Sequence, residues 1–204
     1  MISTGLYPGD DPLSLEGAGE LEPVLRAVLA AGQLKQLYRQ GWLQHGLPVV
    51  HCESVADHVF GVAILAMFLR DALFPHLELN RVVRMALIHD LGEVYTGDLT
   101  PQDDVDPAEK HRRERSALGR VLAGMDSAAD YLALWDEYEL GKSGDAQLVR
   151  QADRLEMAMQ AVIYERNGLL SAGDFFASAA RVVNWPELED RLKALEQLRA
   201  PGGG

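Results

Sequence analysis

The chain has 204 residues with a single cysteine, and its 31 acidic and 19 basic residues give a formal net charge of −12. This length fits one domain with a substantial core. The negative charge disfavours nucleic-acid polymers and anionic membranes as partners, because like charges repel at long range. No apolar run approaches the roughly 18 residues of a membrane span. Because Cys52 is the only cysteine, an internal disulfide is excluded and the reducing cytoplasm is favoured. We expect Cys52 to be a small buried core residue.

Apolar residues recur at helical spacing along most of the chain, and strand signals are almost absent, so an all-α helical bundle is predicted. Residues 1–20 are rich in Gly, Pro, Asp and Ser and are predicted to be a flexible tail, followed by one domain over 21–200 and a second tail over 201–204. The first helix is expected to bury Leu25, Val28, Leu29, Gly32 and Leu37. A linker is predicted over 46–52 and a loop over 97–107, and further helices near 54–74, 79–91, 107–125, 127–140, 144–168, 172–183 and 186–199.

His58 lies near the start of the predicted helix 54–74, where Ser54 and Asp57 have the spacing of a capping box. At helical spacing, His58 lies on the same side as the apolar residues Val62 and Leu65. A histidine on an apolar face is more often a core residue than a metal ligand, so both interpretations stay open at this point.

His89 and Asp90 end the apolar helix that begins near residue 79. Imidazole beside carboxylate suits a divalent cation such as manganese, cobalt, iron, zinc or magnesium, whereas a solvated helix end is the alternative. Glu93 follows Asp90 by three residues and would share its helix face, with a charge facing solvent as the alternative. Asp98 follows Gly97, whose freedom at positive φ would let the chain turn back.

Asp153 lies beside a predicted apolar stripe that runs from Leu148 to Val162. Taken alone, this carboxylate is more often a solvated flank residue or a partner of Arg154. It gains significance only together with the histidines and Asp90 from the two earlier helices.

The order His58, His89-Asp90 and Asp153, each on its own predicted helix, resembles the HD-domain superfamily of metal-dependent phosphohydrolases. In that superfamily a His, a His-Asp pair and a distant Asp converge on one divalent metal inside a helical core. The flanking segments resemble its 5'-deoxynucleotidase branch, and the similarity extends from about residue 34 to residue 198. These segments are 53–58, 89–93, 96–98, 109–114, 134–139 and 149–153.

The resemblance implies that His58, His89, Asp90 and Asp153 hold a divalent cation, which is manganese, cobalt, magnesium, zinc or iron. It implies hydrolysis of (deoxy)nucleoside 5'-monophosphates to nucleoside and phosphate, with Asp90 at the centre of the catalytic group. Glu93 and Asp98 match residues that activate water or that anchor a second cation and the substrate, and the sequence does not decide between these roles.

Arg39 and Trp42 correspond to an Arg and a Trp that contact the phosphate and the deoxyribose in the resembling family. The fit is looser here, because His45 replaces a basic residue and the linker to His58 is about two residues longer, so sugar preference stays open. A hydrophobic plug is the alternative role for Trp42. Lys110 and Arg113 are further candidates for phosphate binding, with a solvated basic face paired to acidic neighbours as the alternative.

Two other classes of function are compatible with this pattern. One is a different HD activity: pyrophosphohydrolysis of nucleoside triphosphates or alarmones, or phosphodiester hydrolysis of cyclic nucleotides. The other is a nucleotide-binding protein without turnover. The expected partner in each case is a small nucleotide, and a cytoplasmic homodimer is expected from the resemblance. The aromatic residues Trp185, Phe175 and Phe176 are predicted to lie in the core rather than at a dimer interface.

Overall fold

The computed structural model describes residues 18–199, and α-helices connected by short turns make up most of this segment. Within it no β-strand is present, apart from a single antiparallel bridge between Tyr38 and Ser54. The all-α prediction is therefore confirmed. The helices are α1 Pro23–Ala31, α2 Gln40–Gln44, α3 Val55–Leu73, α4 Leu79–Ile88, α5 Glu93–Thr96, α6 Pro107–Val121, α7 Ala128–Leu140, α8 Gly144–Arg166, α9 Gly173–Ala179 and α10 Pro186–Glu196.

The predicted tails fall largely outside the described residues. Of the first tail the structure describes only the short 3-10 helix Ala18–Glu20 and nothing before it, and the tail over 201–204 is not described. The domain limits at 21 and 200 therefore stay predictions. None of the helices described has the length and apolar character that crossing a bilayer requires.

Helix α8 is the centre of the core, because α3, α4, α7, α9 and α10 all pack against it. Its residues Leu148, Val149, Ala152 and Ala158 are fully buried, and Leu155 is nearly so. Each polar side chain on α8 that points into this core needs a partner there, because buried polar groups are almost always paired.

Helices α3 and α8 run antiparallel. The N–H of Glu53, just before α3, donates to the hydroxyl of Tyr164 near the end of α8, at 2.9 Å. Further along, His58 contacts Glu156, and Leu77, beyond α3, closely approaches Gly144 at the start of α8. This pairing brings the first turn of α3 to the level of residue 153.

The face predicted to be buried along the first helix is confirmed at Leu37 and wrong at Leu25 and Val28. Leu25 and Val28 are 53% and 65% exposed, and the buried residues are Ala27, Ala30, Leu34 and Leu37. The α-helical spacing ends at Ala31, where the chain tightens into the 3-10 turn Gly32–Lys35 and changes the register. The small alanines let α1 approach α6 closely. A prediction based on the spacing of the larger apolar residues does not include such a contact.

Several local predictions are confirmed, and some helix ends are corrected. Ser54 and Asp57 form the predicted capping box, Gly97 has φ 76°, Pro186 begins α10, and Cys52 is buried. Helix α4 ends at Ile88 rather than residue 91, because the chain turns over 89–92 before α5. Helices α6 and α9 end four residues earlier than predicted, at 121 and 179. The linker over 46–52 contains the 3-10 turn Val49–His51.

The aromatic residues discussed as core or interface lie mainly in the core. Phe175 and Phe176 are buried. Trp185 is partly buried and packs against Phe74, with ring centroids 4.7 Å apart. A core role therefore accounts for all three side chains.

Replacing Ser54 by Ala should lower the free energy of unfolding by about 1 kcal/mol, because the backbone N–H of Asp57 at the start of α3 loses its side-chain acceptor. Urea unfolding measures this change. Ser127→Ala is the matched control, since Ser127 is the N-cap residue of α7 but its side chain accepts no capping hydrogen bond. Equal losses in the two variants would contradict the capping argument.

Candidate metal centre and active site

Four predicted ligands from three parts of the fold come together in the core. His58 comes from the first turn of α3, His89 and Asp90 from the turn after α4, and Asp153 from the middle of α8. His58 Nε2 lies 3.2 Å from Asp153 Oδ1 and 3.9 Å from Asp90 Oδ2. His89 Nε2 lies 3.2 Å from Asp90 Oδ2. The donor atoms of His58, His89 and Asp90 all lie within 4.8 Å of one another, which is a spacing that one cation can bridge.

Both imidazoles are oriented by their other ring nitrogen. His89 Nδ1 lies 2.7 Å from the carbonyl oxygen of Ala86 and must donate to it, because a carbonyl oxygen only accepts. His58 Nδ1 lies 2.6 Å from the carboxylate of Glu156. In the neutral imidazoles the Nε2 atoms therefore carry the lone pairs, directed toward the carboxylates of Asp90 and Asp153, as in metal-binding histidines with a second hydrogen-bond partner.

The Nε2 atoms of His58 and His89 are buried and have no hydrogen-bond partner among the described residues. Buried polar atoms are almost always paired, so two such atoms facing the same carboxylates require an explanation. A divalent cation supplies one, because imidazole nitrogen and carboxylate oxygen are common ligands of manganese, iron, cobalt and zinc. The two unpaired imidazole nitrogens and the carboxylates that they face therefore fit a divalent metal site.

The electrostatics of the site favour a cation. Burial opposes the charge on Asp90, yet His89, Arg39 and His58 hold the pKa of its carboxyl well below the usual value. Burial likewise opposes the charge on Asp153, and Arg154 and His58 hold its pKa well below normal. Burial and Arg39 lower the pKa of His58, but Asp153 and Glu156 outweigh them and raise it to about 9. Both aspartates are thus ionised at neutral pH, and their field stabilises positive charge on the histidine side.

Helix α7 supports the turn that carries His89. The indole of Trp135 donates to the carbonyl oxygen of His89 at 2.9 Å, and the ring of Tyr138 lies 5.3 Å from the His89 ring. We did not assign roles to these two side chains from sequence, although the segment 134–139 was part of the resemblance. They fix the backbone and the ring of His89 without themselves providing a metal donor.

Glu93 begins α5 and is buried beside Asp90. Its Oε2 atom is a third buried atom without a hydrogen-bond partner among the described residues. Burial, followed by the charges of Asp90 and Asp98, raises the pKa of Glu93 well above its usual value. The structure therefore brings a carboxyl group with a strong affinity for a proton, or for a cation, to the edge of the cluster.

Asp98 connects the loop after α5 to the start of α2. Its Oδ1 accepts from Arg39 Nη1 at 3.2 Å, and its Oδ2 accepts from the backbone N–H of Gln40. The same Nη1 lies 3.6 Å from Asp90 Oδ2, so the Arg39 guanidinium links Asp98 to the metal-ligand candidates. Asp98 is placed to hold Arg39 in position.

Trp42 belongs to the core and also lines the cavity. It is 2% exposed and belongs to the hydrophobic core, with its ring 4.1 Å from the ring of Phe175. It also lines the cavity that leads to Asp90, and its indole donates to Glu53 Oε1 at 2.8 Å. The side chain is therefore a rigid wall rather than a mobile contact.

A cavity of about 830 Å³ opens over these groups, a volume typical of small-molecule sites. All of the predicted site residues line it except two, His58 and Arg113. His58 is fully buried in the core. Lys110 lines the cavity and donates to the carbonyl oxygen of Leu99 at 3.1 Å. Arg113 instead pairs with Glu109 on the surface at 2.6 Å, as the alternative reading of the basic segment anticipated. The predicted residues that line the cavity are Arg39, Trp42, His89, Asp90, Glu93, Asp98, Lys110 and Asp153.

Three arginines that sequence reasoning did not select also line the cavity: Arg150, Arg154 and Arg181. Arg154 follows Asp153 directly in the chain, which is a signal that could have identified it. Arg181 follows α9 and has no local motif around it. Together with Arg39 and Lys110, they bring five basic side chains to a cavity whose lining also contains seven carboxylates.

Comparison with known proteins agrees with this geometry. The HD domain family matches residues 31–195. The human protein 5'-deoxynucleotidase HDDC2 is 38% identical over 190 residues, which cover 90% of this chain and 88% of the human protein. The Schizosaccharomyces pombe 5'-deoxynucleotidase hdd1 is 32% identical and covers 82% of this chain and 85% of its own.

Solved structures show the same fold. A crystal structure of a Pyrococcus horikoshii protein superposes with a TM-score of 0.73 at 32% identity, covering 86% of this chain and 99% of that one. A Magnetospirillum magnetotacticum protein, described as a predicted metal-dependent phosphohydrolase, superposes with a TM-score of 0.67 at 27% identity. That match covers 88% of this chain and 97% of the other.

Replacing Gly92 by Ala should disturb the site, because an added Cβ would lie 2.6 Å from the backbone oxygen of Glu114 in α6. We expect a loss of about 1–3 kcal/mol in the free energy of unfolding, measured in urea, together with weaker Mn²⁺ binding by calorimetry. Gly119→Ala on the same helix is the control. A Cβ there meets nothing within 4 Å, so this change should stabilise the helix by up to about 1 kcal/mol. A Gly92→Ala variant as stable as the wild type would contradict the contact.

Proposed function

This chain belongs to the HD domain family, and we propose that it is a metal-dependent 5'-nucleotidase that hydrolyses (deoxy)nucleoside 5'-monophosphates to nucleoside and phosphate. The observation that carries the proposal is the pair of buried Nε2 atoms of His58 and His89, which have no hydrogen-bond partner among the described residues and face Asp90 and Asp153 beside a cavity lined by both basic and acidic side chains. The names of the similar 5'-deoxynucleotidases support the same reaction.

His58, His89, Asp90 and Asp153 would hold the metal. When bound, a divalent metal lowers the pKa of water from about 15.7 toward roughly 7 and neutralises charge on a phosphoryl group. Two nitrogen and two oxygen donors suit manganese, cobalt, iron, zinc or magnesium, and ligand type alone does not select among them. We therefore propose a divalent cofactor of this group without choosing one member.

Glu93 is proposed to accept the proton of the attacking water. Its burial next to Asp90 raises its pKa, which makes the ionised carboxylate a stronger base than an exposed glutamate. The alternative role, binding a second cation together with Asp98, is less well supported. Both oxygens of Asp98 already accept hydrogen bonds, from Arg39 and from the N–H of Gln40.

Arg39 is proposed to bind the substrate phosphate, because its planar guanidinium matches phosphate oxygens better than an ammonium does. Lys110, with Arg154 and Arg181 on other parts of the wall, adds positive charge to the same cavity. Trp42 is proposed to contact the sugar, where a rigid indole would crowd a 2'-hydroxyl. The preference for deoxyribose rests on this wall and on the names of the relatives.

The finer expectations on assembly and location are also proposals. We propose that the protein acts in the cytoplasm, in line with its single buried cysteine, and that it forms a homodimer, as the family resemblance implies. Sedimentation of the purified protein measures the assembly state directly.

The reaction is tested by measuring phosphate release from a panel of nucleoside and deoxynucleoside mono-, di- and triphosphates, with Mn²⁺ or Co²⁺ added. We expect release from monophosphates, with deoxynucleotides preferred, and loss of activity after chelation. Equal or faster hydrolysis of triphosphates would instead indicate a pyrophosphohydrolase-type activity. Tight nucleotide binding without release under either metal would indicate a binding protein.

Asp90→Ala and Glu93→Ala should both reduce turnover below about one hundredth of the wild type, because one removes a metal donor and the other the proton acceptor. Only Asp90→Ala should also remove tightly held metal, measured by elemental analysis of the purified variants. A metal loss of similar size in Glu93→Ala would make Glu93 a ligand rather than a base.

A further inference from the structure

We propose that Glu53 and Glu156 are positioning residues, which form one partly buried carboxylate layer that holds both His58 and Trp42 in their working orientations. The inference rests on the proposed function, since it takes His58 as a metal ligand and Trp42 as the wall against the substrate. Neither glutamate lines the cavity, so their roles are exerted through the two side chains that they contact.

Glu156 is one helical turn after Asp153 on α8, and its carboxylate lies 2.6 Å from His58 Nδ1. The His58 side chain is 1% exposed and that of Glu156 13% exposed, so solvent competes little for this hydrogen bond. An acceptor at Nδ1 selects the tautomer with its lone pair on Nε2 and increases the basicity of the ring toward a metal. The contact therefore prepares His58 as a ligand before any cation arrives.

Glu53 orients Trp42, which lines the cavity. Its Oε1 accepts from the Trp42 indole at 2.8 Å, and its backbone N–H donates to the Tyr164 hydroxyl at 2.9 Å. The residue is thus fixed at both its backbone and its side chain. An indole that is held this way presents the same face to the cavity with or without a bound substrate.

The two glutamates belong to a single layer, because donor atoms of Glu53, His58 and Glu156 all lie within 4.8 Å of one another. The spacing alone would also suit a second cation. However, His58 Nδ1 and Glu53 Oε1 already take part in the hydrogen bonds described above. The geometry therefore favours a hydrogen-bonded layer over a second metal site.

Gly61 provides the space for this layer on α3. A Cβ at this position would lie 2.5 Å from Glu156 Oε1 and 3.0 Å from its Cδ. Only the end of the Glu156 side chain would have to move, and no backbone atom is involved. Gly61→Ala should thus fold while displacing the carboxylate from His58, without removing any polar group.

The test is the Mn²⁺ affinity of the full-length protein, measured by titration calorimetry, which needs no turnover. Glu156→Ala should weaken binding by about 10- to 100-fold, and Gly61→Ala by about tenfold. Glu156→Gln retains an oxygen acceptor for Nδ1 and should lose less than about tenfold. This rescue by the amide distinguishes an orienting hydrogen bond from simple packing.

Asp145→Asn is the matched control, since Asp145 is another buried carboxylate on α8 but bonds Arg81 and the N–H of Glu78 away from the site. It should lower the melting temperature and leave the Mn²⁺ affinity unchanged. If the wild type binds Mn²⁺ and both Glu156→Ala and Gly61→Ala bind it with the same affinity, this inference alone would be overturned. A wild-type protein that binds no Mn²⁺ would refute the proposed function, and the inference with it.

Glu53→Ala tests the second half of the layer. Freeing the indole should raise KM for deoxynucleoside monophosphates by about tenfold and change the Mn²⁺ affinity much less than Glu156→Ala does. A change confined to kcat, with KM and the discrimination against ribonucleotides both unaltered, would show that Glu53 does not position Trp42.

Discussion

The site depends on two buried imidazoles whose Nδ1 atoms are both occupied, one by a carbonyl oxygen and one by a carboxylate. This constraint leaves the Nε2 atoms with no freedom except to face Asp90 and Asp153. The packing of α3 against α8 supplies it for His58, and the carbonyl oxygen of Ala86 in α4 supplies it for His89. The core cannot relax around a misoriented ring without creating a void. Chemistry at this centre is therefore a property of the packing around the histidines as much as of the ligands themselves.

The order of the ligands and the helical class could be predicted because both depend on local spacing. A capping box, an apolar run ending in His-Asp and a carboxylate beside an apolar stripe are visible within a few residues of sequence. The buried face of α1 could not be predicted, since the small residues Ala27 and Ala30 face inward while the larger Leu25 and Val28 are exposed. Which face is covered depends on packing against distant segments such as α6, which a single sequence does not report.

The supporting residues were harder to predict than the ligands for a physical reason. Glu156, Trp135 and Arg181 act across contacts between segments that are distant in the chain, and each has an ordinary local environment in sequence. Arg113 illustrates the opposite error, because its neighbourhood is rich in cations but its own partner is the adjacent Glu109. Charge in a sequence indicates a site only when the fold turns it inward.

The antiparallel pairing of α3 with α8 has a consequence for how the protein is made. Helix α8 ends at Arg166, and α3, α4 and α7 all precede it in the chain while needing its surface for burial. During synthesis the apolar faces of these earlier helices that pack against α8 therefore stay exposed until most of the polypeptide has emerged. The four metal-ligand candidates likewise come together only after α8 has emerged, because Asp153 lies in its middle.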